Sequence, residues 1–355
     1  MNYGSLLITG GAGFMGSNLA CLFKEKYPRL KVYALDNLKR RGSELNICRL
    51  NKHGIEFIHA DIRCQEDLVF KQRFELLIDC AAESSVLGGI DFPPYIINTN
   101  LQGTVNCLEL ARKNKADVIF ISTNRVYSYP DILKIKTKES ETRLEWVRGQ
   151  KITGFSDEGI GENFSVNGSK TLYGATKLAS EQLFHEYMAN YKIRGVINRC
   201  SGIAGPWQFG KTEQGVFGYW VLAHYFKKEL SYIGFGGKGK QVRDLLHVED
   251  LFRLIDLEAN LLEDISGRVY NVGGGKASVL SLLETTSICR KITGNRVTVR
   301  GDKENRPGDI PVYISDNSSV LRDTRWSPRK SPESILSDIY RWVRKNEAGL
   351  KSIVK

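Results

Sequence analysis

The stretch from Leu6 to Gly16 constrains the fold of this chain more than any other. An apolar run that ends at Ile8 gives way to a glycine-rich segment, and apolar residues then recur at helical spacing through Leu19 and Phe23. This order predicts a buried strand, a tight turn and the start of a helix. Glycines let the backbone approach a pyrophosphate, and the free N–H groups of the first helical turn face its negative charge. We therefore predict a dinucleotide site at this turn.

A second apolar run ends in the acid that such a site requires. Val32 to Leu35 is followed by Asp36, at about the distance from the glycines where a carboxylate binds the ribose 2′-hydroxyl. A carboxylate there would repel a 2′-phosphate, so we predict NAD rather than NADP as the cofactor. Arg40 and Arg41 leave NADP open as the alternative, since an arginine nearby could pair with that phosphate.

Composition narrows the class of protein. The length of 355 residues allows about two domains, and the hydrophobic share of 41% is typical of a folded globular chain. No apolar run approaches the ~18 residues of a membrane span, and we expect neither a membrane partner nor a signal peptide. The cysteines form no C-x-x-C pair and are interpreted as reduced core thiols of a cytoplasmic protein, with no metal site. The net charge of +11 is spread along the chain, so we expect an anionic small substrate or a solvated surface rather than a nucleic-acid partner.

Short apolar runs alternate with longer helical runs as far as about residue 191. Strands are predicted at 5–9, 31–36, 55–59, 76–80, 117–122 and 195–199, and helices at 14–26, 95–113 and 172–191 among others. The alternation predicts an α/β fold, a Rossmann-type doubly wound parallel sheet with helices on both faces. Beyond residue 195 the alternation decays. We therefore expect residues 1–197 to bind NAD and residues 198–355 to form a smaller α/β substrate domain, with about 245–272 returning to the first domain.

The residues that follow the predicted strands are candidates for ligand contacts, because ligands of such sheets lie beyond the carboxyl ends of the strands. Asp61, with Ile62 beside it, follows the third strand and could accept the adenine amino group. Ala81 and Ala82 follow the fourth strand, where small side chains let a dinucleotide pass closely. Ser122-Thr123 follows the fifth.

Tyr173 and Lys177 lie four residues apart in a helical pattern and therefore share one face of a helix. An ammonium group there can lower the pKa of the phenol and can also bind the nicotinamide ribose. A phenolate so stabilised can accept a proton from a sugar hydroxyl at neutral pH. The hydroxyl of Thr123 could complete the path of the proton.

The substrate side is predicted from a long insertion and two arginines. Residues 129–170 are polar, irregular and longer than most connections, and are interpreted as a substrate-side insertion. Arg243 follows a glycine-rich segment, and with Arg306 it supplies cations that suit a nucleotide diphosphate. His247 precedes a predicted helix and is interpreted as a structural residue of the helix start.

Several motifs in combination resemble a known family. They are Thr9–Gly16, Asp36-Asn37-Leu38, Asp61-Ile62, Asn100–Thr104, Ser122-Thr123 and Tyr173–Lys177. Over nearly the whole chain the pattern resembles the extended short-chain dehydrogenase/reductases that modify nucleotide sugars. The resemblance implies NAD in the first domain, a nucleotide sugar in the second, and a homodimer through helices 95–113 and 172–191, with a homotetramer left open. The expected cofactor-binding residues are Gly10, Gly13, Phe14, Met15, Gly16, Asp36, Asn37, Arg40, Asp61, Ile62, Ala81, Ala82, Asn100, Ser122, Tyr173 and Lys177.

The residues after Thr123 distinguish subfamilies. Sugar 4,6-dehydratases carry an Asp-Glu pair there as acid and base, whereas this chain has Asn124 and Arg125, which argues against dehydration. Asn124, the segment 208–215 and the run 239–247 resemble the CDP-paratose 2-epimerases, although the last run also occurs in other sugar epimerases. The segment 202–207 departs from the family pattern near the predicted pocket, so the sugar can differ from paratose. The expected substrate-binding residues are Thr123, Asn124, Gln208, Gln214, Arg243 and Arg306.

The resemblance implies epimerisation of a CDP-sugar at C2, with Tyr173, Lys177 and Thr123 as catalytic residues. Tyr173 would take a hydroxyl proton while the C2 hydride passes to tightly bound NAD⁺, and the hydride would return to the other face of a 2-keto sugar, so that NAD is recycled. Two alternatives remain. A UDP-sugar 4-epimerase would use the same residues, and a non-catalytic NAD- or RNA-binding scaffold, supported only by the basic charge, is more distant.

Overall fold

The structure of the protein is a computed structural model that describes residues 1–210 and 214–351. The strands are β1 Ser5–Thr9, β2 Lys31–Asp36, β3 Glu56–His59, β4 Leu76–Asp79, β5 Asp117–Thr123, β6 Thr137–Glu139, β7 Leu144–Trp146, β8 Phe155–Ser156, β9 Gly159–Ile160, β10 Gly195–Cys200, β11 Gly202–Ala204, β12 Leu230–Ile233, β13 Val242–His247, β14 Val269–Val272, β15 Val279–Ser281, β16 Val299–Asp302 and β17 Val312–Tyr313. The helices are α1 Phe14–Lys26, α2 Glu44–Lys52, α3 Gly88–Asp91, α4 Pro93–Ile97, α5 Gly103–Asn114, α6 Tyr129–Leu133, α7 Leu172–Tyr191, α8 Val216–Tyr225, α9 Val248–Ile265, α10 Leu282–Thr293, α11 Ser318–Thr324, α12 Pro332–Lys345 and α13 Glu347–Lys351. Short 3₁₀ turns lie at Gln65–Leu68, Asn124–Val126 and Phe235–Gly237, and a π-helical turn lies at Asn98–Gln102.

A parallel sheet of seven strands forms the centre of the fold. Its order is β14-β10-β5-β4-β1-β2-β3, and each pairing between neighbours is parallel. The chain moves outward from β1 to β3 and then returns to place β4 on the other side of β1. This reversal opens a crevice beyond the carboxyl ends of β1 and β4, which is where ligands of doubly wound sheets bind. The predicted fold class is confirmed.

Alternation along β1 explains why helices cover both faces of the sheet. Leu6 and Ile8 belong to one buried cluster with residues of α1 and α9, whereas Leu7 belongs to a second cluster with residues of α5 and α7. Successive side chains of a strand point to opposite faces, so an all-apolar strand must be covered on both sides. His247 accepts a hydrogen bond from the Glu249 N–H at the start of α9, which confirms its predicted structural role.

The predicted helix over 95–113 is wrong as a single helix. The structure divides this segment into α4, the π-helical turn and α5. A π turn adds one residue to a helical turn and changes which side chains face inward, and such turns are frequent at functional sites. Here the turn holds the buried side chain of Asn100 against the backbone N–H and carbonyl of Glu83, at 2.8 and 2.9 Å. The sequence prediction also missed β14, the edge strand beside β10.

The smaller part of the structure packs α8, α10 and α12 around a second apolar core. Its sheet has the order β11-β13-β15, with β17 also paired to β13. The segment 129–170 is more regular than predicted, since it contains α6 and the hairpins β6–β7 and β8–β9. The first hairpin contacts the smaller part through the Leu144 N–H, which donates to the Lys240 carbonyl at 2.8 Å, and through the Arg143–Glu284 ion pair at 2.7 Å. The domain boundaries at residues 197 and 198 stay a prediction.

No helix in residues 1–210 and 214–351 has the length and apolar character needed to span a membrane.

Glu258 is a fully buried carboxyl group on α9, behind the central sheet. Its Oε2 accepts a hydrogen bond from the amide of Asn198 at 2.7 Å. Glu258 Oε1 and Asn198 Oδ1 have no hydrogen-bond partner within the part of the chain that is described. A neutral carboxylic acid fits this arrangement because its O–H can donate, whereas a carboxylate only accepts. Burial raises the pKa of Glu258 from 4.5 to about 8.

Glu258→Gln is expected to make the protein less sensitive to alkaline pH. Because the folded-state pKa of Glu258 is raised, its contribution to stability is complete below about pH 4.5 and is lost as the pH rises through about 8. Each pKa unit of this difference corresponds to roughly 1.4 kcal/mol of unfolding free energy. We expect the wild-type melting temperature to fall between pH 6 and pH 9 more steeply than that of the neutral variant. Glu263→Gln, at an exposed position of the same helix, is the control, and equal slopes for all three proteins would contradict the prediction.

Candidate active site

A cleft of about 680 Å³ lies beyond the carboxyl ends of the central strands and extends to the smaller part of the structure. Eighteen of the residues expected to bind cofactor or substrate line it: Gly10, Gly13, Phe14, Met15, Gly16, Asp36, Asn37, Arg40, Ile62, Ala81, Ala82, Ser122, Thr123, Asn124, Tyr173, Gln208, Gln214 and Arg243. The sequence prediction therefore placed residues from both halves of the chain around one cavity. Four expected residues, Asp61, Asn100, Lys177 and Arg306, are not among those that line the cleft.

The turn between β1 and α1 forms a close-fitting cradle. Gly10 has a φ of +61°, which favours glycine. A Cβ on Gly16 would lie 2.2 Å from the Gly10 carbonyl oxygen, and a Cβ on Gly11 would lie 2.6 Å from Cα of Ala34. Gly13 caps α1 without a side-chain hydrogen bond, so the first N–H groups of the helix stay available. This cradle fits the pyrophosphate of a dinucleotide.

Asp36 ends β2 beside this cradle. Its carboxylate accepts hydrogen bonds from the N–H groups of Ala12, at 3.1 Å, and of Leu38, at 2.8 Å. Burial raises the pKa of Asp36, while these backbone N–H groups act in the opposite direction. The guanidinium of Arg40 instead donates to the Phe209 carbonyl at 2.8 Å and to the side chain of Gln214. Asp36 therefore lies beside the cradle, where its contact with a ribose stays a prediction, and the guanidinium of Arg40 is engaged by Phe209 and Gln214.

Thr123 ends β5, and Tyr173 and Lys177 lie on the first turns of α7, which packs against β5. Burial raises the pKa of Tyr173 to about 12, and a hydrogen bond with Thr123 acts in the opposite direction. The predicted lowering of this pKa is therefore not seen in the protein alone, because desolvation of the phenolate outweighs it.

Lys177 is a buried lysine on α7. The side chain is 1% exposed, and Nζ has no hydrogen-bond partner in the described ranges. The ammonium lies 3.9 Å from the centre of the Phe120 ring, and burial lowers its pKa. An unsatisfied buried donor costs free energy unless a ligand supplies the acceptor. A ribose hydroxyl of a bound dinucleotide would supply that acceptor if the ammonium turned from Phe120 towards the cleft, which it does not line in this structure.

A buried ion pair contacts the end of β5. Arg199 on β10 donates to Glu181 on α7 at 2.7 Å, and Ser122 donates to the same carboxylate. Arg199 also reaches the hydroxyl of Tyr127 at 3.3 Å. The prediction from sequence missed this network, because its members are far apart in the chain and follow no motif.

Two expected cofactor residues and one expected substrate residue have other surroundings. Asp61 is paired with Arg63, which lowers the pKa of Asp61 to about 2, and it accepts a hydrogen bond from Asn37 at 3.0 Å. Asn100 is buried and holds the loop after β4. Arg306 lies outside the lining of the described cleft, so its contact with a diphosphate stays a prediction.

Arg125 is a cleft residue that the sequence prediction did not select as a binding residue. Its guanidinium donates to the Gly308 carbonyl at 3.0 Å. Burial lowers the pKa of Arg243, and the positive charge of Arg125 acts in the same direction. Arg243 is itself paired with Asp309 at 2.6 Å. Arg125 and Arg243 thus bring two cations, one of them paired with Asp309, to the lining of the cleft, and cations there suit an anionic ligand. The signal available in the sequence was the position of Arg125 directly after Asn124.

Gly174→Ala is expected to reduce activity by roughly 10²-fold, because it displaces the start of α7, which carries the predicted catalytic residues Tyr173 and Lys177. A Cβ on Gly174 would lie 2.0 Å from the carbonyl oxygen of Arg125, so the start of α7 must move away from the end of β5. Tyr173 and Lys177 would move with it. Turnover of the variant should be compared with that of Gly349→Ala, where the added Cβ would meet only Leu45 Cδ1 at 3.8 Å. Wild-type turnover in Gly174→Ala would show that the close contact does not position these residues.

The chain is similar to known proteins along most of its length. The model of the NAD dependent epimerase/dehydratase family matches residues 6–273. A CDP-paratose 2-epimerase of Salmonella typhi is 32% identical over 95% of this chain and 98% of its own length. A putative UDP-glucose 4-epimerase of Methanocaldococcus jannaschii is 29% identical over 96% of this chain and 99% of its own length. A solved structure of UDP-glucuronic acid 4-epimerase from Bacillus cereus, in complex with UDP-glucuronic acid and NAD, has a TM-score of 0.77 and 26% identity, and covers 96% of this chain and 99% of that chain.

Proposed function

Because the chain belongs to the NAD dependent epimerase/dehydratase family, we propose that it inverts C2 of a CDP-linked sugar. Family membership confirms the coarser predictions that the protein is an enzyme acting on nucleotide sugars and that its cofactor is NAD. The observation that carries the proposal is that Thr123 and Tyr173 line the same cleft as the cradle glycines, with Lys177 buried one helical turn from Tyr173. Asn124 and Arg125 follow, where dehydration would require carboxylic acids.

The residues of the chain would divide the reaction as follows. NAD, when bound, supplies the hydride acceptor that returns the hydride to the sugar, and its nicotinamide ring carries a positive charge. Tyr173 takes the proton of the sugar hydroxyl as the C–H bond is broken, and it returns that proton to the same oxygen after the ketone has turned. Thr123 holds the phenol by a hydrogen bond. Lys177 adds the positive charge that favours the phenolate.

The cleft residues on the substrate side would hold the nucleotide sugar. Arg243 lines the cleft and carries the charge that suits a diphosphate. Asn124 lies beside the reaction centre, and its amide donates to Ser201 at 3.4 Å. Gln208 is mostly buried, and its Oε1 is without a hydrogen-bond partner in the part of the chain that is described. A sugar hydroxyl could donate to that oxygen.

The choice of CDP and C2 is supported by the Salmonella typhi relative and by Asn124. The similarity to the Methanocaldococcus jannaschii protein, a putative UDP-glucose 4-epimerase, supports the alternative, a UDP-sugar inverted at C4. The test is proton NMR of the purified protein with CDP-, UDP- and GDP-hexoses, without added cofactor. We expect inversion of a CDP-sugar at C2. Inversion of UDP-sugars at C4 alone would replace the proposal by its alternative, and no inversion of any sugar would overturn both.

We propose that the protein is a homodimer through α4, α5 and α7, with a tetramer left open. Large apolar side chains are exposed beside these helices, at Ile90, Phe92, Ile97 and Leu183. An exposed apolar group of this kind is typical of an interface. Leu183→Glu is expected to give a monomer in sedimentation velocity, because a buried unpaired charge opposes association. Val69→Glu, at a residue 78% exposed and remote from these helices in sequence, is the control; a wild-type mass for both variants would contradict the interface.

A further inference from the structure

Residues 206–210, here called the strap, cross from the smaller part of the structure to the elements that flank the cofactor cradle. The rings of Trp207 and Phe209 lie 5.6 and 5.8 Å from that of Trp342 on α12, which anchors the strap to the smaller part. Gln208 and Phe209 line the same cleft as the cradle glycines. The strap therefore borders the space that the dinucleotide needs.

The first contact of the strap with the cofactor half is at α1, the helix whose N-terminus forms the cradle. The amide of Asn18 on α1 donates to the Pro206 carbonyl at 3.0 Å. Arg49 on α2 donates to the Asn18 side chain at 2.8 Å, and its guanidinium lies 4.9 Å from the centre of the Trp207 ring. A cation over a tryptophan face is attracted by the ring. Arg49 therefore contacts both Asn18 on α1 and Trp207 of the strap.

The second contact is at the loop after β2, on the other side of the cradle. Arg40 donates to the Phe209 carbonyl at 2.8 Å. A Cβ on Gly42 would lie 2.8 Å from Cγ of Phe209, so the ring rests directly on this loop. The strap thus touches an element on each side of the place where Gly10, Gly16 and Asp36 lie. The strap is therefore held to α1, which begins at the cradle, and to the loop that follows Asp36.

Trp207 holds an unfavourable backbone conformation within the strap. Its φ is +69°, a region that bulky residues rarely adopt. Strain of this kind persists only where the surroundings enforce it, and it concentrates at ligand clamps. Here the enforcing contacts are Arg49 on one side and Trp342 on the other.

We propose that the strap retains NAD in the site, and that Arg49 and Trp207 are the residues that hold it closed. Dissociation of the cofactor then requires the strap to leave α1, α2 and the loop after β2. This role depends on neither the nucleotide nor the carbon of the proposed function, since it concerns the protein and NAD alone.

Release of NADH from the full-length protein, chased with excess NAD and followed by NADH fluorescence, tests the proposal without any sugar. Arg49→Met is the decisive variant, because Arg49 contacts the strap but does not line the cleft. We expect release to be roughly tenfold faster, the size of effect that loss of a partly desolvated cation–π contact gives. Trp207→Gly should have at least that effect, since glycine keeps the backbone conformation and removes the ring.

Arg322→Met, at an exposed arginine of α11, is the matched control and should release NADH at the wild-type rate. Circular dichroism and thermal unfolding establish that each variant is folded. If Trp207→Gly does not fold, Arg49→Met decides alone. A wild-type release rate in folded Arg49→Met would overturn the proposal whatever sugar the enzyme inverts.

Discussion

Tyr173→Phe is expected to lower the turnover number by roughly 10²- to 10⁴-fold, the contribution of a positioned general acid–base. The phenol of Tyr173 is a titratable group that lines the cleft beside Thr123, and Thr123 acts to lower its pKa. Phenylalanine keeps the ring and its packing but removes the proton acceptor. The variant should therefore fold and bind NAD as the wild type does.

The matched control for this substitution is Tyr187→Phe on the same helix. The hydroxyl of Tyr187 donates to Glu109 at 2.7 Å and does not line the cleft. Turnover of a nucleotide sugar and the NAD content of the purified protein should be measured for both variants. Wild-type turnover in Tyr173→Phe would contradict the proposed role of Tyr173 as the proton acceptor.

The pH dependence of the wild type adds a second readout for Tyr173. Burial raises the pKa of the phenol to about 12 in the protein alone, so the phenolate is scarce at neutral pH before ligands bind. Binding of NAD brings a positive charge to the site, and a nearby positive charge lowers the pKa of a phenol. Titration of tyrosine absorbance should show a more acidic phenol in the wild type with NAD than without it. Tyr173→Phe should lose this difference.

Lys177→Met is expected to stabilise the protein without cofactor while abolishing most of its activity. The ammonium is buried and lacks a hydrogen-bond acceptor in the described ranges, so the folded protein bears a desolvation cost that methionine of similar length avoids. We expect the unfolding free energy to rise by about 1–3 kcal/mol, the cost of a buried donor without an acceptor. Activity should fall by roughly 10²-fold or more, because the charge that favours the phenolate is lost.

Urea unfolding of the cofactor-free protein and steady-state turnover together test this prediction. Lys276→Met, at a half-exposed lysine paired with Glu158 at 3.2 Å, is the control and should change neither quantity much. A Lys177→Met protein that is both less stable and inactive would indicate a structural role for the ammonium. Unchanged activity would exclude Lys177 from the mechanism.

The sequence predicted the parts of the molecule that local chemistry determines. The glycines after β1 and the acid after β2 are required by a close turn and a ribose, so their positions could be read without tertiary contacts. The spacing of Tyr173 and Lys177 is likewise a property of a single helix. The same holds for the central strands, whose apolar runs are buried on both faces.

Most of the features that were missed depend on contacts between distant segments. The π-helical turn places the side chain of Asn100 against the backbone of Glu83. Helical periodicity in the sequence does not reveal this contact. The guanidinium of Arg40 donates to the carbonyl of Phe209 in the strap, and Phe209 is far from Arg40 in the sequence. Asp61 forms an ion pair with Arg63, two residues away, and this pair competes with the predicted contact of Asp61 with adenine. Asn100 and Arg40 were identified near the site, but their partners were set by the tertiary structure, whereas the pairing of Asp61 with Arg63 is local and was overlooked.

The raised pKa of Tyr173 shows the same limit for electrostatics. A lysine one helical turn away predicts a more acidic phenol, and the spacing is as expected. The depth at which both groups are buried, however, is a property of the whole fold, and desolvation acts on the phenolate and the ammonium together.

The measurement that tests the proposed function most directly is the epimerisation itself, run in D₂O and followed by proton NMR at the inverted carbon. If the hydrogen removed from that carbon is the one that returns, the product gains no deuterium there. We expect a CDP-sugar inverted at C2 with its C2 hydrogen retained and no need for added cofactor. Deuterium at the inverted carbon would mean that the hydrogen leaves as a proton, and it would contradict epimerisation by transient oxidation.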